Sequence, residues 1–115
     1  MEVPERRRFA RHQCSLPVQL QVAGLAYPTS TETTDISLGG CYVKMLVPLP
    51  VGTEVEIRIG TDRGEINAKG TVKTLDPSLG NGIAFTEMAS SCQLKLQSYL
   101  QTLPEVSAGS AGVIR

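Results

Sequence analysis

The 115-residue sequence has no tryptophan, one histidine and three cysteines, and its positive and negative side chains balance at eleven each. Each scarcity excludes something. Cys14, Cys41 and Cys92 are odd in number, widely spaced and without a C-x-x-C pair, which argues against a disulfide framework and a zinc site and fits a reducing cytoplasm. The lone histidine, His12, has no spaced serine and aspartate set to complete a triad, so neither catalytic residues nor metal ligands are expected. No stretch approaches roughly eighteen consecutive apolar residues, and the arginine-bearing start has no apolar h-region. Neither a membrane span nor a signal peptide is expected, and a cytoplasmic location follows. Zero net charge gives no global pull toward nucleic acid, and Phe9, Phe85 and three tyrosines are few rings for base stacking.

What is present suits one compact domain, since 41% apolar residues can fill a single core without disulfides. Residues 1–12 carry a proline, repeated charge and little apolar periodicity, and read as a flexible arginine-rich arm. From Leu16 the pattern alternates with a period of two through Val18, Leu20 and Val22, which puts one strand face on a core, and Pro17 suggests an edge position. The β-branched run Thr29 to Ile36 suits a second strand and Cys41 to Met45 a third. Val55, Ile57 and Ile59 mark a fourth. Turn residues Gly60 to Gly64 lead into a fifth, Glu65 to Thr74, and the turn-rich segment 76–82 precedes a short sixth at Ile83 to Phe85.

Beyond Met88 the period changes. Cys92, Leu96, Tyr99 and Leu103 lie at helical spacing, Ser90 and Gln93 can form a capping box, and Pro104 stops the helix. The fold class is therefore all-β with one helix: a six-stranded antiparallel β-barrel followed by a C-terminal α-helix, spanning residues 13–103. Residues 104–115, rich in Ser, Ala and Gly, read as a disordered tail.

Two segments carry candidate chemistry. Arg6, Arg7, Arg8 and Arg11 supply four guanidinium groups within six positions, and guanidinium is a rigid donor fork for phosphate oxygens or the O6/N7 edge of guanine. Alone, such a cluster equally fits a solvated basic tail. Asp35-Ile36-Ser37-Leu38-Gly39-Gly40 lies between two strands, where it equally fits an ordinary turn; it lacks the Gly-Lys-Ser/Thr ending of a phosphate-binding P-loop.

Together they are more specific. Arg7 to Arg11 fits R-x-x-x-R and Asp35 to Gly40 fits D-x-S-x-x-G, and this ordered pair, with Gly82-Ile83-Ala84-Phe85 and the terminal helix, resembles the PilZ domain family over residues 5 to 103. The resemblance implies a barrel that binds cyclic di-GMP on its outer surface, with no other cofactor. It implies ligand contacts from Arg6, Arg7, Arg11, Asp35, Ser37, Gly39 and Gly40, with secondary contributions from Arg8 and Gly82. Arg7 and Arg11 would clamp guanine edges and phosphates, and Asp35 would accept from guanine N1 and N2. Ser37 would offer its hydroxyl, and Gly40 would let the ligand approach the backbone closely. In this family an arginine at the place of Arg6 goes with an intercalated pair of ligands, which implies two cyclic di-GMP per chain.

The leading expectation is an adaptor whose arm orders on ligand binding and whose new surface is read by an unidentified protein partner, as a monomer or weak dimer. Competing expectations are a ligand-independent interaction protein of a pilus or motility system, and a weak nucleic-acid binder using the arm.

Overall fold

The computed structural model describes residues 10–104. Arg6, Arg7, Arg8, Phe9 and the tail from residue 105 lie outside the described residues. The strands are β1 (His12–Gln13), β2 (Pro17–Val22), β3 (Thr29–Ile36), β4 (Gly40–Lys44), β5 (Glu54–Thr61), β6 (Gly64–Asp76) and β7 (Gly80–Glu87), followed by helix α1 (Ser90–Leu100). All pairings are antiparallel and run β3-β2-β5-β6-β7-β4, and the additional pairing of β4 with β3 closes a six-stranded barrel. Closure leaves no free sheet edge along these six strands. No helix among the described residues is long and apolar enough to cross a membrane.

Alternation decides which side chains enter the barrel. Val18 and Leu20, Val55, Ile57 and Ile59, Ile66 and Val72, Val43 and Ile83 point inward from five different strands and are at most 3% exposed. Each large aliphatic side chain so buried contributes on the order of 1.5–3 kcal/mol. Leu96, Tyr99 and Leu100 of α1 join the same cluster. The helix is tied to the β5–β6 hairpin where Lys95 Nζ donates to the Glu65 carbonyl at 3.2 Å and Arg63 Nη1 to Ser98 Oγ at 3.1 Å.

Several details depart from the sequence pattern. Pro17 is not at a sheet edge, because β2 lies between β3 and β5; it is tolerated as the first residue of its strand. His12 is buried and pairs with Ile36, so the ordered barrel reaches back into the stretch assigned to the arm. β1 continues the line of β2 along β3 after an interruption at residues 14–16. There Cys14 N still donates to the Thr34 carbonyl at 3.1 Å and Thr33 N to the Leu16 carbonyl at 2.9 Å, and the Thr33 hydroxyl adds to them, accepting from Leu16 N at 2.9 Å and donating to the Cys14 carbonyl.

The capping box at Ser90 and Gln93 does not form: Ala89 occupies the N-cap without a side-chain bond, and Gln93 instead donates to the Met88 carbonyl. The helix ends at Leu100, so Leu103 follows it in a turn. β7 begins at Gly80, inside the stretch that its turn-forming residues mark as a loop. Glycine is required there by packing, since a Cβ on Gly80 would lie 2.0 Å from the Val43 carbonyl oxygen on β4.

Candidate functional site

The position of Asp35 depends on a bulge. Thr33 pairs with Val43, but the next pair is Asp35 with Tyr42, so Thr34 is an extra residue in β3. Thr33 is fully buried, and strict alternation would turn Asp35 inward as well; the extra residue sends Ile36 to the core and Asp35 to the outer wall. Outward residues then align in register from Gln13 to Asp35, Tyr42, Gly82 and Thr74 across β1, β3, β4, β7 and β6.

Arg11 stands at the entrance to β1, on the same wall. Its Nη2 donates to Asp35 Oδ2 at 2.8 Å, with the two side chains 39% and 20% exposed. The second arginine of R-x-x-x-R and the aspartate of D-x-S-x-x-G are thus in direct contact. The Arg11 side chain is the more exposed of the two and Asp35 is half-buried, and an ion pair this close to solvent typically stabilises a fold by about 1 kcal/mol. Such a pair is accessible to a ligand that offers new donors to the carboxylate and new acceptors to the guanidinium.

The turn after β3 is built by Ser37. Its backbone N–H donates to the Gly40 carbonyl at 2.8 Å, and its Oγ accepts from Gly39 N at 3.1 Å. β7 clamps the turn from the other side, with Phe85 N donating to the Gly39 carbonyl at 2.9 Å. In this structure the Ser37 hydroxyl holds the turn itself. Gly40 also has a structural role: a Cβ there would meet the Ile83 carbonyl oxygen at 2.1 Å, so glycine lets β4 and β7 approach closely. Gly82 lies on the outer wall, with a hypothetical Cβ 2.4 Å from Thr74 Oγ1.

Two residues near this wall are missed by motif reasoning. Tyr42 donates to Asp76 Oδ2 at 2.5 Å; its phenol is pushed up to about 12, first by burial and then by that bond and the charges of Asp76 and Asp35. Asn81, fully buried beneath the wall, is satisfied by Leu49 N, the Leu49 carbonyl and the Thr74 carbonyl, and it pins the loop that follows β4. The alternation of β7 is the only signal that would have turned Asn81 inward. Burial, and then the Asp35 charge, push the Cys41 thiol up to about 12, so it packs as a protonated core group. Cys14 and Cys92 are half-buried.

A barrel with a packed interior and an exposed arginine–aspartate pair on its wall defines a small domain whose polar chemistry faces outward. The chain belongs to the PilZ domain family, whose sequence model matches residues 5–102. Among solved structures it is similar to the inhibitor of motility MotI/DgrA of Bacillus subtilis, at 22% identity and a TM-score of 0.70, covering 84% of this chain and 50% of that one. It is similar to the PilZ domain of CeSA from a cellulose-synthesizing bacterium, at 23% identity and a TM-score of 0.64, covering 80% and 95%. It is similar also to the PilZ domain of YcgR from Escherichia coli, solved with c-di-GMP, at 16% identity and a TM-score of 0.69, covering 85% and 91%. The chain spans half the length of the Bacillus protein and nearly all of the two isolated domains. No curated protein matches it.

Proposed function

We propose that this chain is a cyclic di-GMP receptor that acts as an adaptor. The observation that carries the reading is the 2.8 Å contact between Arg11 and Asp35, which joins the two sequence motifs on one outer wall. Asp35 accepts from the guanine N1 and N2 donors, while Arg7 and Arg11 take the guanine O6/N7 edge and the phosphates. Arg6 and Arg8 extend the cationic side, and Ser37, Gly39 and Gly40 hold the turn that fixes Asp35. Membership of the PilZ domain family and the fold shared with a c-di-GMP-bound PilZ domain support this reading.

Binding exchanges the Arg11–Asp35 bond for bonds to the ligand and draws residues 5–10 onto the barrel. A protein partner then reads the altered surface. Titration with cyclic di-GMP, cyclic di-AMP and GTP tests the assignment. Adenine lacks the paired N1 and N2 donors, so cyclic di-AMP is expected to bind at least about tenfold more weakly, roughly 1.4 kcal/mol. Equal affinity for both dinucleotides removes the role given to Asp35, and binding of neither removes the receptor function.

A further inference from the structure

Tyr42 belongs to neither motif, yet it occupies the centre of the site's wall. It stands opposite Asp35 in the β3–β4 register and opposite Gly82 in the β4–β7 register. Its ring crosses the outer face of β7: a Cβ built on Gly80 would come within 2.9 Å of Cε1, and one built on Gly82 within 3.7 Å of Cδ2. These two atoms lie on opposite edges of the ring, so the ring spans both glycines. Past β7, the phenol is anchored on Asp76 at the end of β6. The ring therefore lies over two positions that carry no side chain and is anchored at its tip. Tyr42 also lines an outer groove of about 860 Å³, shared with Thr34, Leu46, Val47 and Leu79.

A carboxylate accepts the guanine N1 and N2 hydrogens in the plane of the base. A base held edge-on by Asp35 therefore extends from β3 over its neighbour β4, and the outward residue at that level is Tyr42. We propose that Tyr42 is the stacking platform for the guanine whose edge Asp35 reads. This inference rests on the cyclic di-GMP reading above. It also assigns Gly80 and Gly82 a role in the site, since only residues without side chains let the ring lie down on β7. The phenol, held in its neutral form, adds no charge opposing the phosphates. Every base has a π face, so the platform adds affinity while Asp35 supplies the choice of base.

Two measurements test this. On saturating wild-type protein with cyclic di-GMP, the Tyr42 ring protons are expected to shift upfield in NMR spectra, a readout that depends on no variant folding. In calorimetry, Tyr42→Phe keeps a ring over the glycines but loses the anchor on Asp76, and is expected to lose less affinity than Tyr42→Leu. Tyr42→Leu covers the glycines without a π face and is expected to lose about tenfold in affinity, with its preference for cyclic di-GMP over cyclic di-AMP unchanged. An absent ring shift, or wild-type affinity in Tyr42→Leu, overturns the platform while leaving the receptor reading intact. Failure of the wild type to bind cyclic di-GMP overturns the receptor reading itself.

Discussion

Arg11 and Asp35 lie 24 residues apart in sequence, yet their side chains meet at 2.8 Å on the outside of the barrel. Neither is needed to fill the core, and both are accessible. Replacing either by alanine is therefore expected to leave the melting temperature within a few degrees of wild type, because an ion pair this close to solvent typically contributes about 1 kcal/mol. The same replacements remove charge-assisted bonds to the ligand worth about 1.5–3 kcal/mol each, a loss of roughly tenfold to more than a hundredfold in cyclic di-GMP affinity. Calorimetry on folded Arg11→Ala and Asp35→Ala separates the two effects. Unchanged affinity in both would falsify the placement of the ligand on this pair.

Gly40 behaves differently, although it belongs to the same motif as Asp35. With the Ile83 carbonyl oxygen 2.1 Å from any added Cβ, Gly40→Ala must push β4 and β7 apart at the start of β4. Overpacking of this kind costs typically 1–3 kcal/mol or more, which lowers the melting temperature of a domain of this size by on the order of ten degrees. Any loss of ligand binding in this variant is then secondary to the loss of the β4–β7 pairing. A Gly40→Ala protein as stable as wild type but unable to bind would return this glycine to the ligand site.

Of the six barrel strands, β2, β5 and β6 are legible from alternating inward residues, as in Val55, Ile57 and Ile59, and the others from β-branched or apolar runs between turn residues. The site is legible only as two motifs. What joins them is the bulge at Thr34, and a one-residue insertion in a run of threonines leaves no mark on the hydrophobic pattern. Tyr42 is illegible for a related reason. Its partners, Gly80 and Gly82, read as turn formers, and only the tertiary pairing of β4 with β7 reveals them as the bed of an aromatic ring. The helix is found from its spacing, but its start is not, because Gln93 bonds to Met88 in place of a capping partner.

Alkaline pH supplies a test of two tyrosine environments. Burial, followed by the bond to Asp76, raises the Tyr42 phenol from 10.0 to about 12. The hydrogen bond with the Cys14 thiol, followed by burial, raises the Tyr99 phenol over the same interval. The folded state holds these protons more tightly than the unfolded chain, so their contribution is complete below pH 10 and is lost as pH rises to about 12. Cys41 adds to the loss, from 9.0 to about 12. Thermal melts are expected to fall across this window, and the double variant Tyr42→Phe with Tyr99→Phe is expected to fall less steeply. An identical alkaline slope in that variant removes the tyrosines as its cause.

The number of ligands turns on Arg6, which precedes the R-x-x-x-R motif and offers a third guanidinium to a site whose described cation is Arg11. One cyclic di-GMP brings two phosphate charges, and a second brings two more into the same region, so each added ligand is favoured by an added cation nearby. A guanidinium also stacks on an exposed guanine face, which suits the outer base of an intercalated pair. We expect wild-type protein to saturate at two cyclic di-GMP per chain and Arg6→Leu to saturate at one, with the first binding event weakened far less than the second. Calorimetric stoichiometry reads this directly. Amide exchange on the same samples is expected to show protection of residues 5–10, ahead of the Arg11 contact and β1, only with ligand, since ordering that segment is an entropic cost that the ligand contacts must offset. Saturation at one ligand in wild type removes the role of Arg6, and protection of residues 5–10 in the free protein removes the ordering step; in either case the contact between Arg11 and Asp35 still locates the site.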